Sequence, residues 1–224
     1  MNKSTGIFSL AALAALLSGC ALTQDNIGLN YVPQPAVAKM AGADTVKVTV
    51  RMTDDRAIRD KVGSKKNGYG MDMAPIVSTT DVVELIQGAI ETELRQRGFG
   101  SGGNVVVAVD LIKFYNDFKV GFWAGDSLAE FLMNVQVKDN GGTTIFVKSV
   151  TAEGLEPNIQ IAGGNNARIS LEAALKRGME ILFGDKEFTS ALIKAGAPPK
   201  PTPVASAVPA EPATPAVAQP KAQQ

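Results

Sequence analysis

The sequence predicts an α+β domain with one mainly antiparallel sheet of about four strands and two main helices packed on one face. Three observations lead to this prediction. Apolar residues alternate with polar ones in several segments, which is typical of strands, and recur every three or four positions in others, which is typical of helices. Three of the predicted strands also follow one another directly along the chain. The predicted order over residues 45–196 is strand, helix, three strands, helix, helix.

The first half of the domain is predicted as a strand, a long connection and a helix. Strict alternation from Val46 to Met52 indicates a strand with one buried face. Residues 53–77 form a longer connection than most compact domains contain, so we expect this loop to be functional or mobile. Apolar residues at helical spacing between the capping candidate Asp81 and Gly98 predict a helix over residues 80–97.

Three strands are predicted next. Residues 104–115 are apolar on both sides, as expected for a central strand. Residues 128–138 and 145–150 flank an Asp-Asn-Gly-Gly turn at 139–142 and predict a hairpin. Consecutive strands favour an antiparallel meander, although the strand–helix–strand start of the domain also allows the first two strands to pair in parallel.

The remaining segments are two helices and two extended ends. A helix is predicted over 167–183, and a short third helix ends at Gly196. Residues 197–224 hold eight of the twelve prolines of the chain and few bulky side chains, which predicts a disordered Pro/Ala-rich tail. Residues 20–44 show no sustained periodicity and are predicted to be a flexible tether.

The N-terminus has the features of a secretory signal over residues 1–19. Lys3 precedes an apolar run from Ile7 to Leu17, which is too short to span a bilayer stably. The Leu-Ser-Gly-Cys sequence at 17–20, which contains the only cysteine of the chain, resembles the lipobox of bacterial lipoproteins. The resemblance implies that the Cys20 thiol is diacylated and that its freed amine is acylated after cleavage. The alternative is an ordinary signal peptide with an incidental cysteine.

Several short motifs carry a wider resemblance. They are Asp55-Arg56 after the first strand, the segment 90–99 that closes the first helix, Phe114-Tyr115 at the end of the valine-rich strand, and 173–175 in the last long helix. In this pattern the chain is similar to the YajG-like family of bacterial outer-membrane lipoproteins. The resemblance implies anchoring in the inner leaflet of the outer membrane, facing the periplasm. Ala21 agrees with this location, because lipoproteins kept at the inner membrane typically carry Asp there.

Composition excludes several function classes. The 22 Lys and Arg balance the 22 Asp and Glu, which argues against bulk binding of nucleic acid. Because the chain has no histidine and its one thiol is assigned to lipid, triad-type catalysis and the usual zinc sites are excluded. No catalytic residue, cofactor or metal is predicted. Carboxylate-only hydrolysis of an envelope polymer stays open, with candidates Asp54, Asp55, Asp60, Asp72, Asp110, Asp126 and Glu130.

The expected function is therefore that of a non-enzymatic binding or assembly-accessory module, and the alternative is a carrier or sensor of a small amphiphilic or cell-wall-derived ligand. The expected partners are the membrane, through the acyl chains, and an envelope protein or cell-wall component. The candidate binding surface comprises Arg56, Tyr69, Tyr115, Phe118, Phe122 and Trp123. Each part of this surface has an alternative. Arg56 either binds an anion or carboxylate of the partner or forms an ion pair at the exit of the first strand. The aromatic residues either contact the partner or close the end of the core.

Overall fold

One mixed sheet contains all the strands of residues 22–121 and 124–197, the part of the chain that this computed structural model describes. The strands are β1 Asp25–Ile27, β2 Lys47–Asp54, β3 Gly63–Lys66, β4 Asp72–Ser78, β5 Gly100–Ser101, β6 Val105–Lys119, β7 Gly125–Lys138 and β8 Thr144–Ile159. The helices are α1 Val82–Gln96, α2 Gly164–Phe183 and α3 Lys186–Gly196, together with a short 3-10 helix at Ala43–Thr45.

Strand β6 is the centre of the sheet. One of its edges pairs antiparallel with β7, which pairs antiparallel with β8. Its other edge is shared: β2 pairs in parallel with the first half, and β3 meets the second half at Gly63 and Asn116. Strands β3 and β4 form an antiparallel hairpin, β1 pairs in parallel with β4, and β5 pairs in parallel with β2.

The predicted fold class is therefore wrong in the size and the type of the sheet. The sheet has eight strands and mixed pairing, and three helices accompany it among the described residues. The predicted loop 53–77 contains the hairpin β3–β4, and β8 continues to Ile159 rather than ending near residue 150. Three of the added strands, β1, β3 and β5, have only two to four residues, and β4 contains Pro75, which is unfavourable within a strand, so their own side-chain patterns do not indicate half-buried strands.

The three helices pack on one face of the sheet. Contact between α2 and the sheet is close, because a Cβ atom at Gly178 would lie 2.3 Å from the ring of Phe131, and one at Gly154 would lie 1.9 Å from the carbonyl oxygen of Ser170. The largest fully buried side chains include Phe114, Phe131, Phe188, Ile86, Ile90, Leu171, Leu175 and Met179. The core therefore lies between the sheet and the helices, and none of the helices in the described residues lies on the other face of β6, β7 and β8.

Residues 25–45 are packed on the domain, which corrects the predicted tether over 20–44 for this part of it. β1 adds to the sheet beside β4, and Leu29 is 2% exposed. The fully buried Glu93 accepts a 2.5 Å hydrogen bond from the Tyr31 hydroxyl and a 3.0 Å hydrogen bond from the backbone amide of Gln34. Burial and the adjacent Glu93 carboxylate raise the pKa of Tyr31. Polar partners that are distant along the chain hold this segment on the domain. Such contacts leave no periodic pattern in the sequence, so they could not be predicted from it.

No helix in the described part of the chain is long and apolar enough to cross a membrane. Cys20, the predicted signal peptide and residues 198–224 of the predicted tail lie outside the described residues.

Candidate functional site

A groove lies on the uncovered face of the sheet, where the edge of β6 passes from β2 to β3. The connecting residues 55–62 bridge this gap: the Asp55 amide donates to the Leu111 carbonyl at 2.9 Å, and the Asn116 amide donates to the Val62 carbonyl at 2.8 Å. Between these two bonds the connection and β6 enclose about 360 Å³. We call this the outer groove; it is lined by Arg56, Ala57, Ile58, Ile112, Lys113, Phe114, Tyr115, Asp117 and Glu130.

A β-bulge shapes the floor of the outer groove. The register between β6 and β7 shifts between Leu111 and Lys113, so Ile112 is an extra residue in β6. Bulges re-aim side chains and increase the local twist of a strand. Ile112 and Tyr115 are half-buried in the floor, and Ile58 on the connection is 41% exposed at the mouth. The outer groove is thus an apolar depression open to solvent.

Arg56 is fixed at one side of the outer groove. Its Nε and Nη2 atoms donate to the two carboxylate oxygens of Asp54, each at 2.8 Å, and its side chain is 6% exposed. The hydrogen bond from Arg56 lowers the pKa of Asp54 against the opposing effect of burial. The third guanidinium nitrogen, Nη1, is buried and has no hydrogen-bond partner in the described residues. The ion pair at the exit of the strand, one of the two interpretations of Arg56, is therefore what forms.

The rim of the outer groove carries charges of both signs. Lys113 and Glu130 form an ion pair across β6 and β7, with each side chain about half exposed. Lys66 pairs with Asp117 at 2.6 Å. The Tyr115 hydroxyl lies 3.3 Å from Ser64 Oγ, which also accepts a 2.8 Å hydrogen bond from Lys61 Nζ. An apolar floor with a polar rim is the usual composition of a protein-binding surface.

The predicted binding residues do not form one surface. Arg56 and Tyr115 line the outer groove, whereas Tyr69 is 90% exposed on the turn between β3 and β4. Phe118 is 2% exposed and belongs to the core, so its placement on a binding surface is wrong. Residues 114, 116 and 118 alternate toward the helices, so Phe118 follows Phe114, which packs edge-on against Phe131 at a centroid distance of 5.9 Å.

Two apolar residues of the outer groove, Ile58 and Ile112, are not among the predicted binding residues. Ile112 carries no signal of its own, because the strand around it is apolar on both sides and a bulge does not stand out there. Ile58 lies in the predicted loop 53–77, where no periodic pattern marks it. Phe122 and Trp123 of the predicted surface lie outside the described residues.

Two of the acidic candidates for hydrolysis are engaged in ion pairs at the outer groove. Asp54 binds Arg56, and Glu130 binds Lys113. The other carboxyl group with a lowered pKa, that of Asp185, owes it first to a hydrogen bond from Lys148. Within the two described ranges no group of three or more Asp, Glu, His or Cys side chains could hold a metal ion.

The family whose members are described as "Uncharacterized lipoprotein" matches residues 33–193. The chain belongs to this lipoprotein family. Because the match covers nearly the whole domain, it confirms the resemblance to the YajG-like lipoproteins.

Comparison with other known proteins adds distant similarities. No curated protein matches the chain. A Xanthomonas campestris protein of family DUF330 is 12% identical with a TM-score of 0.49, over 77% of this chain and 96% of its own. A minor lipoprotein from Acinetobacter baumannii is 12% identical with a TM-score of 0.36, over 61% of this chain and 90% of its own. Similarities this distant carry no conclusion about this chain.

Proposed function

We propose that this lipoprotein is anchored through acyl chains on Cys20 in the inner leaflet of the outer membrane, faces the periplasm, and binds another envelope protein without catalysing a reaction. Membership of a lipoprotein family supports the anchor, as does the position of Cys20 behind an apolar run and small residues. Ala21, where lipoproteins of the inner membrane typically carry Asp, supports the outer membrane.

The outer groove is the main support for the binding role. It offers an apolar floor at Ile112 and Tyr115, an exposed aliphatic residue at Ile58, and a rim of both charges. A volume of about 360 Å³ is at the small end of ligand sites, so it suits one or two side chains of a protein partner. The neutral net charge of the chain favours a partner of mixed charge over a polyanion.

The alternative role, carriage or sensing of a small amphiphile between helices and sheet, has less support. The side chains that fill this layer, among them Phe131, Leu171 and Met179, have no exposed surface. Hydrolysis has the least support, because Asp54 and Glu130 are paired with cations at the outer groove.

The anchor is tested by substituting Cys20→Ser in the full precursor. Since no other residue of the chain can carry the thioether, we expect loss of palmitate labelling and a shift of the protein out of the outer-membrane fraction. Wild-type protein in the same cells is the control. A substituted protein that still labels and stays with outer membranes would refute the anchor, and wild-type protein in inner membranes would refute the location.

The binding role is tested by placing a photo-crosslinking amino acid at Ile58 in cells, with Val147 as the matched control. Both residues are exposed and apolar, but Val147 lies on β8, away from the outer groove. We expect a discrete crosslinked protein from position 58 and not from position 147. Equal crosslinking at both positions, or crosslinking at 147 alone, would contradict a role for the outer groove.

A further inference from the structure

Exposed apolar side chains gather at one end of the molecule. Nine large apolar side chains are exposed in the described residues, and five of them lie at the end of the sheet where β6 and β8 finish. We call this set the apolar end; it comprises Leu22, Tyr69, Met71, Val120 and Ile161, which are 64%, 90%, 57%, 37% and 77% exposed. They lie on four separate parts of the chain, so a single unusual loop does not explain them.

Strand pairing brings these four parts together. The turn between β3 and β4 follows Lys66, and β3 runs parallel to β6, so Tyr69 and Met71 lie beside the end of β6. The pair Ile159 and Gly125 places the end of β8 there as well. Gly68, Val120 and Ile161 line one shared cleft.

The chain enters the domain at the same end. Asp25 pairs with Ile76 in parallel, so Leu22 lies further toward the start of β4 and the β3–β4 turn. Asp25 holds this entry in place, because its carboxylate accepts hydrogen bonds from the Gly164 amide at 2.8 Å and from Lys65 Nζ at 3.1 Å. Only Ala21 separates Leu22 from Cys20, so their Cα atoms are at most about 7 Å apart.

The opposite end of the sheet has the composition expected of loops in water. Its turns, residues 102–104 and 139–143, consist of Gly, Asn, Asp and Thr, and none of the exposed large apolar side chains lies in either turn. The asymmetry between the two ends is what a membrane surface would require. An exposed apolar patch marks an interaction site, and Tyr is favoured at the membrane–water interface.

We infer that the apolar end is a membrane-docking surface: the domain stands with this end on the bilayer, and the five side chains insert into the boundary between headgroups and acyl chains. Lys119 at the margin keeps its ammonium group at the phosphates while its stem lies along the apolar side chains, and the ammonium group of Lys66 stays paired with Asp117. This inference rests on the proposed anchor at Cys20. Because the anchor joins the domain at this end, the acyl chains already hold the apolar end close to the membrane before it docks. The outer groove then faces sideways, parallel to the bilayer.

Fluorescence quenching of the full lipidated protein tests the orientation. Acylation blocks Cys20, so a single introduced cysteine is the only thiol that an environment-sensitive fluorophore can label. We would label Tyr69→Cys, Ile161→Cys, and two controls: Asn140→Cys at the opposite end and Val147→Cys on the uncovered face. The proteins are reconstituted in phosphatidylethanolamine–phosphatidylglycerol vesicles with brominated lipids. At positions 69 and 161 we expect the fluorescence to fall by about half or more, since bromine near the headgroups is close to a probe at that depth, while the controls stay unquenched.

The outcomes separate the two proposals. Protein that lacks acyl mass and does not float with the vesicles refutes the anchor, and the docked orientation with it. Protein that floats but shows no quenching at 69 and 161, or equal quenching at all four positions, refutes the orientation alone. The double variant Tyr69→Asp with Ile161→Asp, probed at Met71→Cys, should still float and should lose its quenching. Retained quenching in that variant would overturn the role of these side chains.

Discussion

The two faces of the sheet differ in burial, as β7 shows. On the helix-covered face, every second side chain from Ser127 to Val137 has no exposed surface. On the other face, the alternate side chains from Leu128 to Lys138 are half-buried. The covered face includes a polar cluster in which the side-chain Nδ2 of Asn116 donates to Ser127 Oγ at 2.6 Å and to Ser170 Oγ at 2.9 Å. The uncovered face instead carries the outer groove and a solvent-exposed ion pair. Stability should therefore depend on the first face and binding on the second.

The largest loss of stability is expected from Glu93→Gln, on the helix-covered side. Glu93 is fully buried and pairs with the buried Arg97, whose guanidinium also lies 4.4 Å from the centre of the Phe183 ring. Removing the negative charge leaves Arg97 uncompensated, so we expect the free energy of unfolding to fall by about 4 kcal/mol. Denaturant unfolding measures it. Glu91→Gln on the same helix is the control; an equal loss in both variants would show that the buried pair is not the cause.

Gly154→Ala should cost about 3 kcal/mol, because the new Cβ meets the backbone of α2 and the helix has to move away from the sheet. The two nearest atoms are the carbonyl oxygen of Ser170 at 1.9 Å and the amide nitrogen of Ala174 at 2.4 Å. Gly88→Ala in α1 is the matched control, since nothing lies within 4 Å of its Cβ position, and it should stabilise by up to about 1 kcal/mol. Thermal melts of both variants decide the point; a neutral Gly154→Ala would mean that the covered face is packed less closely.

Asp54→Asn should have an intermediate, pH-dependent effect at the boundary between the two faces. Loss of the charge-assisted bonds to Arg56 should lower the free energy of unfolding by about 2 kcal/mol at pH 7. The folded pKa of Asp54 is lowered, so its contribution is complete above the unfolded pKa of about 3.9 and is lost as pH falls through the folded pKa. The stabilities of wild type and variant, measured from pH 7 to pH 2, should converge below pH about 4. A difference that is independent of pH would contradict the ion-pair explanation.

The smallest change in stability is expected on the uncovered face. Ile58→Ser removes an exposed aliphatic side chain at the mouth of the outer groove, so the free energy of unfolding should change by no more than about 0.5 kcal/mol. The same substitution should weaken capture of the partner by about tenfold or more if Ile58 is an anchor of the interface. Val147→Ser is the control in both the melt and the capture measurement. Unchanged capture with Ile58→Ser would remove the outer groove from the binding surface.

The long elements could be predicted from the sequence because their patterns are local. The helix predicted over 80–97 is observed over Val82–Gln96, where Asp81 caps the first turn by accepting from the Glu84 amide at 2.9 Å, and Gly98 follows with a φ of 97°. The parallel pairing left open for the first predicted strand is observed between β2 and β6.

The short strands could not be predicted in this way. In β3, Lys65 is 9% exposed because its ammonium group meets the Thr23 carbonyl and Asp25, which are about 40 residues away along the chain. Burial of a lysine by distant partners has no local signature. The position of Arg56 directly after the first strand predicts it as a binding residue. The outer groove beside it could not be predicted, because it depends on a gap between β2 and β3 that exists only in the assembled sheet.

The bond between Asp25 and the Gly164 amide has a consequence for the order of folding. Its two residues are 139 positions apart, and contacts between such distant residues form late, because a long loop has to be closed first. As the chain emerges N-terminus first, the segment behind Cys20 has no partner at the start of α2 until most of the domain has followed. We therefore expect residues 22–27, just behind Cys20, to be unfolded while that cysteine is processed, and their contacts with β4 and the start of α2 to form only afterwards.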